Sequence, residues 1–337
     1  VLTQTHPEAT VVLLNALDGV DPSYRWAFTR GYLGLIDGCS ALWGAAYRLS
    51  DGLPFRHGIT RIHRWSNAWH GRKLESLLLG HQPAVIIGTH FFPMEVAGFL
   101  KSRGRLQARL ITVITDYLPH LVWTAKGVDL YAVACAETRQ ELVRRDVAEE
   151  KIRVVGIPID SQFHRQEDRA ALAAKLGLER DRFTVLIASG GFGNGPVPKL
   201  VETFLSIPES LQLLIVAGKN NSLFRQLEQM RRQTHHRVKV YGFVRNMHEL
   251  MSVSDVMVTK PGGLSCAEAM AKGLPMVLIV PIPGQETRNA RFIARSGAGV
   301  LAPSLQAVPV ILNELRRNPK RLQEMAHRGR EIARPEA

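Results

Sequence analysis

The sequence predicts an α/β protein made of two domains, each with a doubly wound parallel sheet. Short apolar runs alternate along the chain with amphipathic stretches of helical period, which is typical of strands covered by helices on both faces. The ten strand-like runs are, in chain order, TVVLLNAL, AVIIGTH, RLITVITD, LYAVA, RVVGIP, FTVLIASGG, LQLLIVAG, VKVYGF, DVMVTKPGG and PMVLIVP. A chain of 337 residues is long enough to build two such sheets, each with its own core.

The helices and the domain boundary follow from the same alternation. The helical stretches with the clearest pattern are residues 65–79, 138–145, 169–176, 222–232, 265–272 and 320–333. A strand ends in the segment GIPIDSQF, and the polar segment after it opens a new helix. We therefore predict an N-terminal domain over residues 1–158 and a C-terminal domain over residues 159–337, with a cleft between them.

Composition narrows the classes of function. No apolar run approaches the roughly 20 residues of a membrane-spanning helix, so a membrane role would be peripheral. The three cysteines, Cys39, Cys135 and Cys266, have no metal-ligand spacing and are interpreted as reduced cytosolic thiols. The net charge of +13 predicts a polyanionic partner, namely nucleic acid, a nucleotide phosphate or an anionic membrane.

A glycine-rich loop, SGGFGNGP, lies between a predicted strand and a predicted helix. Its backbone amides could approach phosphate or sugar oxygens closely, helped by the helix dipole. A tight strand-to-helix turn is the alternative interpretation. The glycines concerned are Gly190, Gly191, Gly193 and Gly195.

The segment TKPGGLSCAEAMAKGLP is the most specific motif in the chain. Gly262 and Gly263 allow the backbone to turn sharply off a strand. The amides of Leu264 and Ser265 then open a helix and would face an anion such as a diphosphate.

Glu268 lies one turn further along the same predicted helix. Its carboxylate could accept hydrogen bonds from both hydroxyls of a ribose. A carboxylate near a helix start also complements the helix dipole, so both interpretations of Glu268 stay open.

A third loop, PIPGQETRNA, again joins a strand to a helix. Gln285, Glu286 and Asn289 offer amide and carboxylate groups suited to several sugar hydroxyls at once. A cluster that only caps the helix is the alternative. Three such loops at strand ends together favour a ligand site, because ligands of open α/β sheets bind there.

The order of these motifs resembles that of a known family. GIPI, GGFGNG, VAGKN, GFV, TKPGG with AEAMAKGLP, and PGQE follow one another as in the glycosyltransferases that make glucosyl- or galactosyl-diacylglycerol. The peptidoglycan lipid-linked N-acetylglucosaminyltransferase is a more distant likeness. The resemblance implies a GT-B fold of two facing Rossmann-like domains, a UDP-sugar donor, inversion at the anomeric carbon and no obligatory metal or other cofactor.

The resemblance also implies roles for individual residues. It assigns the diphosphate to Gly262, Gly263 and Leu264, the ribose to Glu268, the sugar to Gln285 with Glu286, and the uracil to Phe243 with Val244. We add Gly191, Gly193 and Ser265 to this donor site from the loops in which they lie. Members of the family usually begin with a strand and a glycine-rich loop carrying a histidine, and we expect this chain to lack both.

Transfer to an acceptor hydroxyl needs a general base, and the N-terminal half offers two candidates. Asp116 follows a predicted strand and is the first candidate; His90, in the segment GTHFFP, is the second. A capping aspartate and a structural histidine are the alternatives. His120 and Trp123 lie in the loop after Asp116 and are assigned to the acceptor side.

The segment RIHRWSNAWHGRKL combines cations with tryptophans, as at the interface of an anionic bilayer. A solvated helix with core tryptophans is the alternative. The residues predicted to contact lipid are Arg61, Arg64, Trp65 and Trp69, joined by Arg72 and Lys73.

These observations predict a UDP-sugar hexosyltransferase that acts on diacylglycerol or a related lipid at the inner face of the cell membrane. Transfer to a polyprenyl-linked or other small acceptor is a second hypothesis, and a catalytically silent UDP-sugar-binding regulator is a third. Nucleic acid is not an expected partner, because the sequence contains no recognition helix, RNA-binding aromatic motif or zinc site.

Overall fold

A computed structural model describes residues 6–21, 25, 45 and 72–334, apart from residues 192, 194 and 206. The chain divides into two compact units. The first comprises the residues up to Val113 together with His120–Tyr131 and Arg145–Ile152. The second comprises Ile114–Pro119, Ala132–Arg144 and the chain from Arg153 onward. The domain boundary at residues 158 and 159 stays a prediction.

Ten strands are found in the described part of the chain. They are β1 Val85–Gly88, β2 Arg109–Val113, β3 Leu130–Val133, β4 Ile152–Val154, β5 Thr184–Ala188, β6 Gln212–Val216, β7 Arg237–Tyr241, β8 Val256–Thr259, β9 Met276–Leu278 and β10 Gly299–Leu301.

Eleven α-helices accompany these strands in the same part of the chain. They are α1 Arg72–His81, α2 Phe91–Ser102, α3 Ala136–Val143, α4 Arg169–Lys175, α5 Val197–Phe204, α6 Asn221–Met230, α7 Met247–Ser252, α8 Gly263–Lys272, α9 Gln285–Arg295, α10 Val308–Arg317 and α11 Pro319–Ile332.

The strands form two sheets. The first has the order β1-β2-β3-β4, and its β1 and β2 run parallel with Val85 opposite Arg109. The second has the order β10-β9-β8-β5-β6-β7, and all of its pairs are parallel. Nine of the ten predicted strands are therefore confirmed, and the α/β class with parallel sheets is correct.

The second sheet is covered on both faces, as its apolar strands predict. Successive residues of β5 enter different core clusters: Leu186 and Ala188 join one, whereas Val185 and Ile187 join the other. This alternation follows from the two-residue period of a strand. Two buried faces explain why β5, β6 and β8 consist almost entirely of apolar residues.

One predicted strand is wrong. No residue of TVVLLNAL lies in a strand, and residues Ala16–Gly19 form a short 3₁₀ turn capped by the side chain of Asn15. Leu13 is 97% exposed, so this apolar run is not buried between helices. Apolar composition alone does not make a strand, because a strand needs a neighbour for its backbone hydrogen bonds.

Candidate active site

The second sheet presents its ligand-binding edge at the carboxyl ends of its strands. The chain leaves β5 towards β6 on one side and reaches β8 on the other, so the direction of strand order reverses between β5 and β8. Open α/β sheets bind ligands at such a switch point. The loops at this edge are residues 189–196 after β5, 217–220 after β6, 242–246 after β7, 260–262 after β8 and 279–284 after β9.

The loop after β8 gives α8 an open beginning. Gly262 is the N-cap residue and has no side chain with which to cap the first amides of the helix, which also lack intrahelical acceptors. A Cβ atom on Gly262 would meet nothing within 4 Å. Leu264 is exposed and Ser265 is partly buried. These amides can therefore receive an anion from the open side of the loop.

Gly263 has a different reason to be glycine. A Cβ atom on Gly263 would lie 1.9 Å from the carbonyl oxygen of Thr115. The start of α8 thus packs directly against the segment 114–119. Gly263 has a packing role here in addition to the diphosphate contact that the sequence predicts for it.

Glu268 is a partly buried carboxyl one turn into α8. Burial, together with the negative charge of Asp160, raises the pKa of Glu268 to about 7. Asp160 itself caps the 3₁₀ turn Ser161–His164 by accepting a hydrogen bond from the amide of Gln162 at 2.9 Å. Glu268 therefore changes its protonation close to neutral pH, which is uncommon for a carboxyl that only complements a helix dipole.

Asp116 lies against the first two turns of α9. It is only 2% exposed, and both carboxylate oxygens accept amide hydrogen bonds: Oδ2 from Nε2 of Gln285 at 2.5 Å and Oδ1 from Nδ2 of Asn289 at 3.1 Å. Burial raises the pKa of Asp116, while the two amide hydrogen bonds oppose that rise. Asp116 and Gln285, which the sequence places in different halves of the chain, are thus brought into direct contact.

Asn289 completes this network. Its Oδ1 accepts from the amide of Tyr117 at 3.0 Å, and its Nδ2 also donates to the carbonyl of Pro261 at 3.2 Å. The side chain is 1% exposed. Asn289 therefore joins α9, the β8 loop and the segment that carries Asp116. The sequence had drawn attention to Asn289 only as a possible capping or sugar-binding group.

The position of Glu286 is compatible with both the capping and the sugar-binding interpretation. Its Oε2 accepts from the amide of Ile282 at 2.7 Å, so the carboxylate fastens the loop that precedes its own helix. Burial raises the pKa of Glu286, and the Ile282 hydrogen bond and the charge of Lys260 oppose that rise. The carboxylate makes no other hydrogen bond within the described residues, so its second oxygen is open to a ligand.

The glycine-rich loop after β5 is tied to the loop after β6. A Cβ on Gly193 would lie 2.1 Å from the carbonyl oxygen of Ala217, and the φ of Gly193 is +62°, so both space and backbone conformation require glycine. The amide of Lys219 donates to the carbonyl of Gly191 at 2.9 Å. Gly191 itself is exposed with open space where a Cβ would stand, so it is the glycine of this pair that a ligand could approach.

Phe243 offers a flat apolar surface at the end of β7. It is 57% exposed, and the ammonium group of Lys219 lies 5.3 Å from the centre of its ring. Val244 is partly buried and packs against the core. An exposed aromatic ring at this edge suits stacking with a planar base.

Three other candidates, His90, His120 and Trp123, lie in the first unit, and both histidines cap helical turns. Nδ1 of His90 accepts from the amide of Phe92 at 3.3 Å, and Nδ1 of His120 accepts from the amide of Val122 at 3.2 Å. Trp123 is buried and its ring lies 6.3 Å from that of His90. Burial of the ring lowers the pKa of His90, although the residue as a whole is exposed.

Of the residues predicted to contact the membrane, only some lie within the described part of the chain. Arg61, Arg64, Trp65 and Trp69 lie outside the described residues, whereas Arg72 and Lys73 are exposed at the start of α1. None of the described helices combines the length and the apolar character needed to cross a bilayer. In the same part of the chain, no three histidine, cysteine or acidic side chains are grouped to hold a metal ion.

Two family models match the chain. Residues 3–159 match monogalactosyldiacylglycerol (MGDG) synthase, and residues 185–334 match the glycosyltransferase family 28 C-terminal domain. Among curated relatives, a processive diacylglycerol β-glucosyltransferase of Bacillus mycoides (strain KBAB4) is 33% identical over 288 residues, which is 84% of this chain and 74% of the relative. The enzyme of the same name from Bacillus cereus (strain B4264) is 34% identical over 253 residues, which is 73% of this chain and 64% of the relative.

Solved structures agree on the fold. Anabaena HepE in complex with UDP has a TM-score of 0.57 at 15% identity, covering 79% of this chain and 78% of that one. MurG of Acinetobacter baumannii has a TM-score of 0.56 at 16% identity, covering 80% and 75%. The two parallel sheets and these neighbours show the GT-B fold, as the sequence predicts. Within that class, the chain belongs to the diacylglycerol glycosyltransferase family.

Proposed function

We propose that the protein transfers a hexose from a UDP-sugar to the free hydroxyl of diacylglycerol or a related lipid, with inversion at the anomeric carbon. The observation that carries this proposal is the edge of the second sheet, where an uncapped helix start, a carboxyl with a pKa of about 7 and the linked pair Asp116 and Gln285 come together. The relatives named as diacylglycerol β-glucosyltransferases support the acceptor, and a neighbour solved with UDP-glucose supports the donor class.

In this proposal the donor binds along that edge. The amides at Gly262, Gly263 and Leu264, with Ser265 behind them, receive the diphosphate, and Glu268 accepts hydrogen bonds from the ribose hydroxyls. Phe243 and Val244 flank the base. Gly191 and Gly193 shape the adjoining loop, and Gln285 with Glu286 holds the sugar.

The acceptor oxygen attacks the anomeric carbon while the bond from that carbon to the diphosphate breaks, and UDP leaves with the electron pair. Asp116 takes the proton of the attacking hydroxyl. A carboxylate whose pKa is raised by burial is a stronger base than one in water, and the two amide donors leave lone pairs of each oxygen unused. His90 is the second candidate for this step, and backbone amides at the start of α8 stabilise the charge of the departing UDP.

We place the enzyme on the cytoplasmic face of the membrane as a peripheral protein. Arg61, Arg64, Trp65 and Trp69 would contact an anionic surface, and His120 with Trp123 would lie on the acceptor side. Support comes from the basic composition of the chain and from the lipid acceptor named for its relatives.

The function is tested by assaying the full-length protein with radiolabelled UDP-glucose and UDP-galactose against extracted membrane lipids. A labelled glycolipid whose lipid part is diacylglycerol supports the proposal. A labelled polyprenyl-linked or small water-soluble product would favour the second hypothesis. UDP-sugar binding without any transfer, under conditions in which a relative turns over, would favour a regulator.

A further inference from the structure

Residues 115–119, which follow β2 and include Asp116, are held in place by side chains. Within the described part of the chain they make no hydrogen bond from backbone to backbone. Asp116 is nevertheless only 2% exposed and Tyr117 only 3% exposed. Buried peptide groups need hydrogen-bond partners, so the position of this segment depends on the side chains that bind its backbone.

Two helices supply those side chains. From α9, Oδ1 of Asn289 accepts a hydrogen bond from the amide of Tyr117 at 3.0 Å. Also from α9, Nη1 of Arg288 donates to the carbonyl of Pro119 at 3.1 Å. From α3, Oγ1 of Thr138 donates to the carbonyl of Tyr117 at 2.6 Å. The amide and the carbonyl of Tyr117 are therefore fixed by side chains from different helices.

Thr138 forms an uncommon contact for a helical threonine. It lies in the first turn of α3 and is 0% exposed. Threonine hydroxyls in helices ordinarily bond to nearby backbone groups, whereas this one reaches a carbonyl 21 positions earlier in the chain. Sγ of Cys135 lies 3.7 Å from the same carbonyl oxygen, but a thiol is a weak donor. Thr138 is therefore the strong hydrogen-bond donor to Tyr117.

This contact bears on the candidate base without involving the candidate donor site. Tyr117 directly follows Asp116, so a shift of the Tyr117 peptide group moves the Asp116 side chain. The other residues that fix Asp116, Gln285 and Asn289, belong to α9, which would also hold the donor sugar. Thr138 belongs to α3, which carries no residue of the proposed donor site.

We propose that Thr138 is a positioning residue for the transfer step, whose hydroxyl fixes the peptide after Asp116 and so directs the carboxylate at the acceptor hydroxyl. This inference rests on the proposed function, in which Asp116 is the base, and adds to it a residue from a helix that the function does not otherwise use. Without the Thr138 hydroxyl, a buried carbonyl lacks its strong donor. The peptide then turns towards other partners and takes Asp116 out of place.

The test compares the wild type with Thr138→Val and Thr138→Ser in assays that transfer hexose from UDP-glucose to diacylglycerol at varied donor concentration. Valine keeps the shape of threonine but has no hydroxyl. Thr138→Val is expected to lower kcat roughly tenfold, because small displacements of a catalytic group are costly, and to change the donor KM less than about twofold. Thr138→Ser keeps the hydroxyl and is expected to retain most of the wild-type kcat.

A double-mutant cycle shows whether Thr138 acts through Asp116. When Asp116→Asn has already removed the base, adding Thr138→Val should lower kcat by less than about twofold. Thr184→Val is the matched control, since Thr184 is 2% exposed and its hydroxyl donates to the carbonyl of Arg182 at 3.0 Å. Thr184 begins β5, at the opposite end of the second sheet from the candidate site, so this control should leave kcat unchanged.

Three results would overturn the role of Thr138 while activity of the wild type keeps the proposed function. They are an unchanged kcat in Thr138→Val, the same loss in Thr138→Ser, and a full loss from Thr138→Val in the Asp116→Asn background. A wild type that transfers no sugar would overturn both proposals. Thermal unfolding of each variant is measured alongside, and Thr138→Ala replaces Thr138→Val, with the same expectations, if the valine variant does not fold.

Discussion

Glu268→Gln separates the two interpretations of this carboxyl because they predict opposite changes in stability. The pKa of Glu268 lies at about 7 in the folded protein, against an ordinary value of 4.5. The folded state therefore binds the proton more tightly than the unfolded chain does. The contribution of Glu268 to stability is therefore greatest below pH 4.5 and falls as the pH rises towards 7, since the carboxylate that forms there is poorly hydrated and lies near Asp160.

The size of the effect follows from the displacement of the pKa. One pKa unit corresponds to about 1.4 kcal/mol, so the ionised side chain costs the folded state about 3 kcal/mol above pH 7. The amide of glutamine has nearly the same shape and does not ionise. We expect Glu268→Gln to unfold with about the same free energy as the wild type at pH 4.5, and to be more stable by about 3 kcal/mol at pH 8.

Urea unfolding followed by circular dichroism at pH 4.5, 6 and 8 measures this difference, and UDP titration at pH 8 measures the cost to binding. We expect the more stable variant to bind UDP more weakly, because the amide cannot replace a carboxylate that accepts from two ribose hydroxyls. Glu324→Gln, at an exposed position of α11, is the control and should change neither quantity. A variant that is less stable at pH 8 would show that Glu268 serves the helix dipole, and unchanged UDP affinity would remove it from the site.

Three further predictions address the base, the start of α8 and the membrane. Asp116→Asn should lower turnover by more than tenfold with donor affinity almost unchanged, because the amide keeps the shape of the carboxylate but loses its basicity. Asp181→Asn, at an exposed position, is the control. An equal fall of donor affinity and turnover would contradict the assignment of Asp116 as the base. Gly263→Ala should reduce the free energy of unfolding by about 1–3 kcal/mol in urea titrations, since its methyl group would overlap the Thr115 carbonyl; an unchanged midpoint would show that the segment yields freely. The wild type should cosediment with liposomes that contain anionic lipid at low salt and not at high salt. The comparison variant carries glutamine in place of Arg61, Arg64, Arg72 and Lys73. Salt-independent binding by this variant would place the membrane contact elsewhere.

The second sheet could be predicted almost completely from the sequence, because its strands are buried on both faces and so appear as uninterrupted apolar runs. β10 was missed because only Val300 and Leu301 give it large apolar side chains, whereas β9, which is equally short, lies within the longer apolar run PMVLIVP. The strand prediction for TVVLLNAL is wrong for the opposite reason. Its composition suits a strand, but a local pattern does not show whether a neighbouring strand is present. Whether a strand has a neighbour depends on the whole fold, whereas the local sequence shows only the apolar residues that burial requires.

The same distinction holds within the candidate site. The sequence located the loops after β5, β8 and β9, because glycines between a strand and a helix are a local signal. It did not separate glycines that leave room for a ligand, such as Gly262, from glycines required by packing, such as Gly193 and Gly263. That difference depends on carbonyl groups distant along the chain.

Asp116 shows how such a long-range contact changes a mechanistic argument. From the sequence it was a strand-end carboxylate of the N-terminal half, assigned to the acceptor alone. Its hydrogen bonds to Gln285 and Asn289 now join the proposed base to the helix that would hold the donor sugar. The base can then be placed correctly only when α9 is in position, and Asn289→Ala should lower turnover even though Asn289 itself would touch neither substrate. A loss of turnover in Asn289→Ala that is accompanied by a shift in the pH profile would identify it as a residue that positions Asp116, whereas a loss with an unchanged profile would assign it to packing alone.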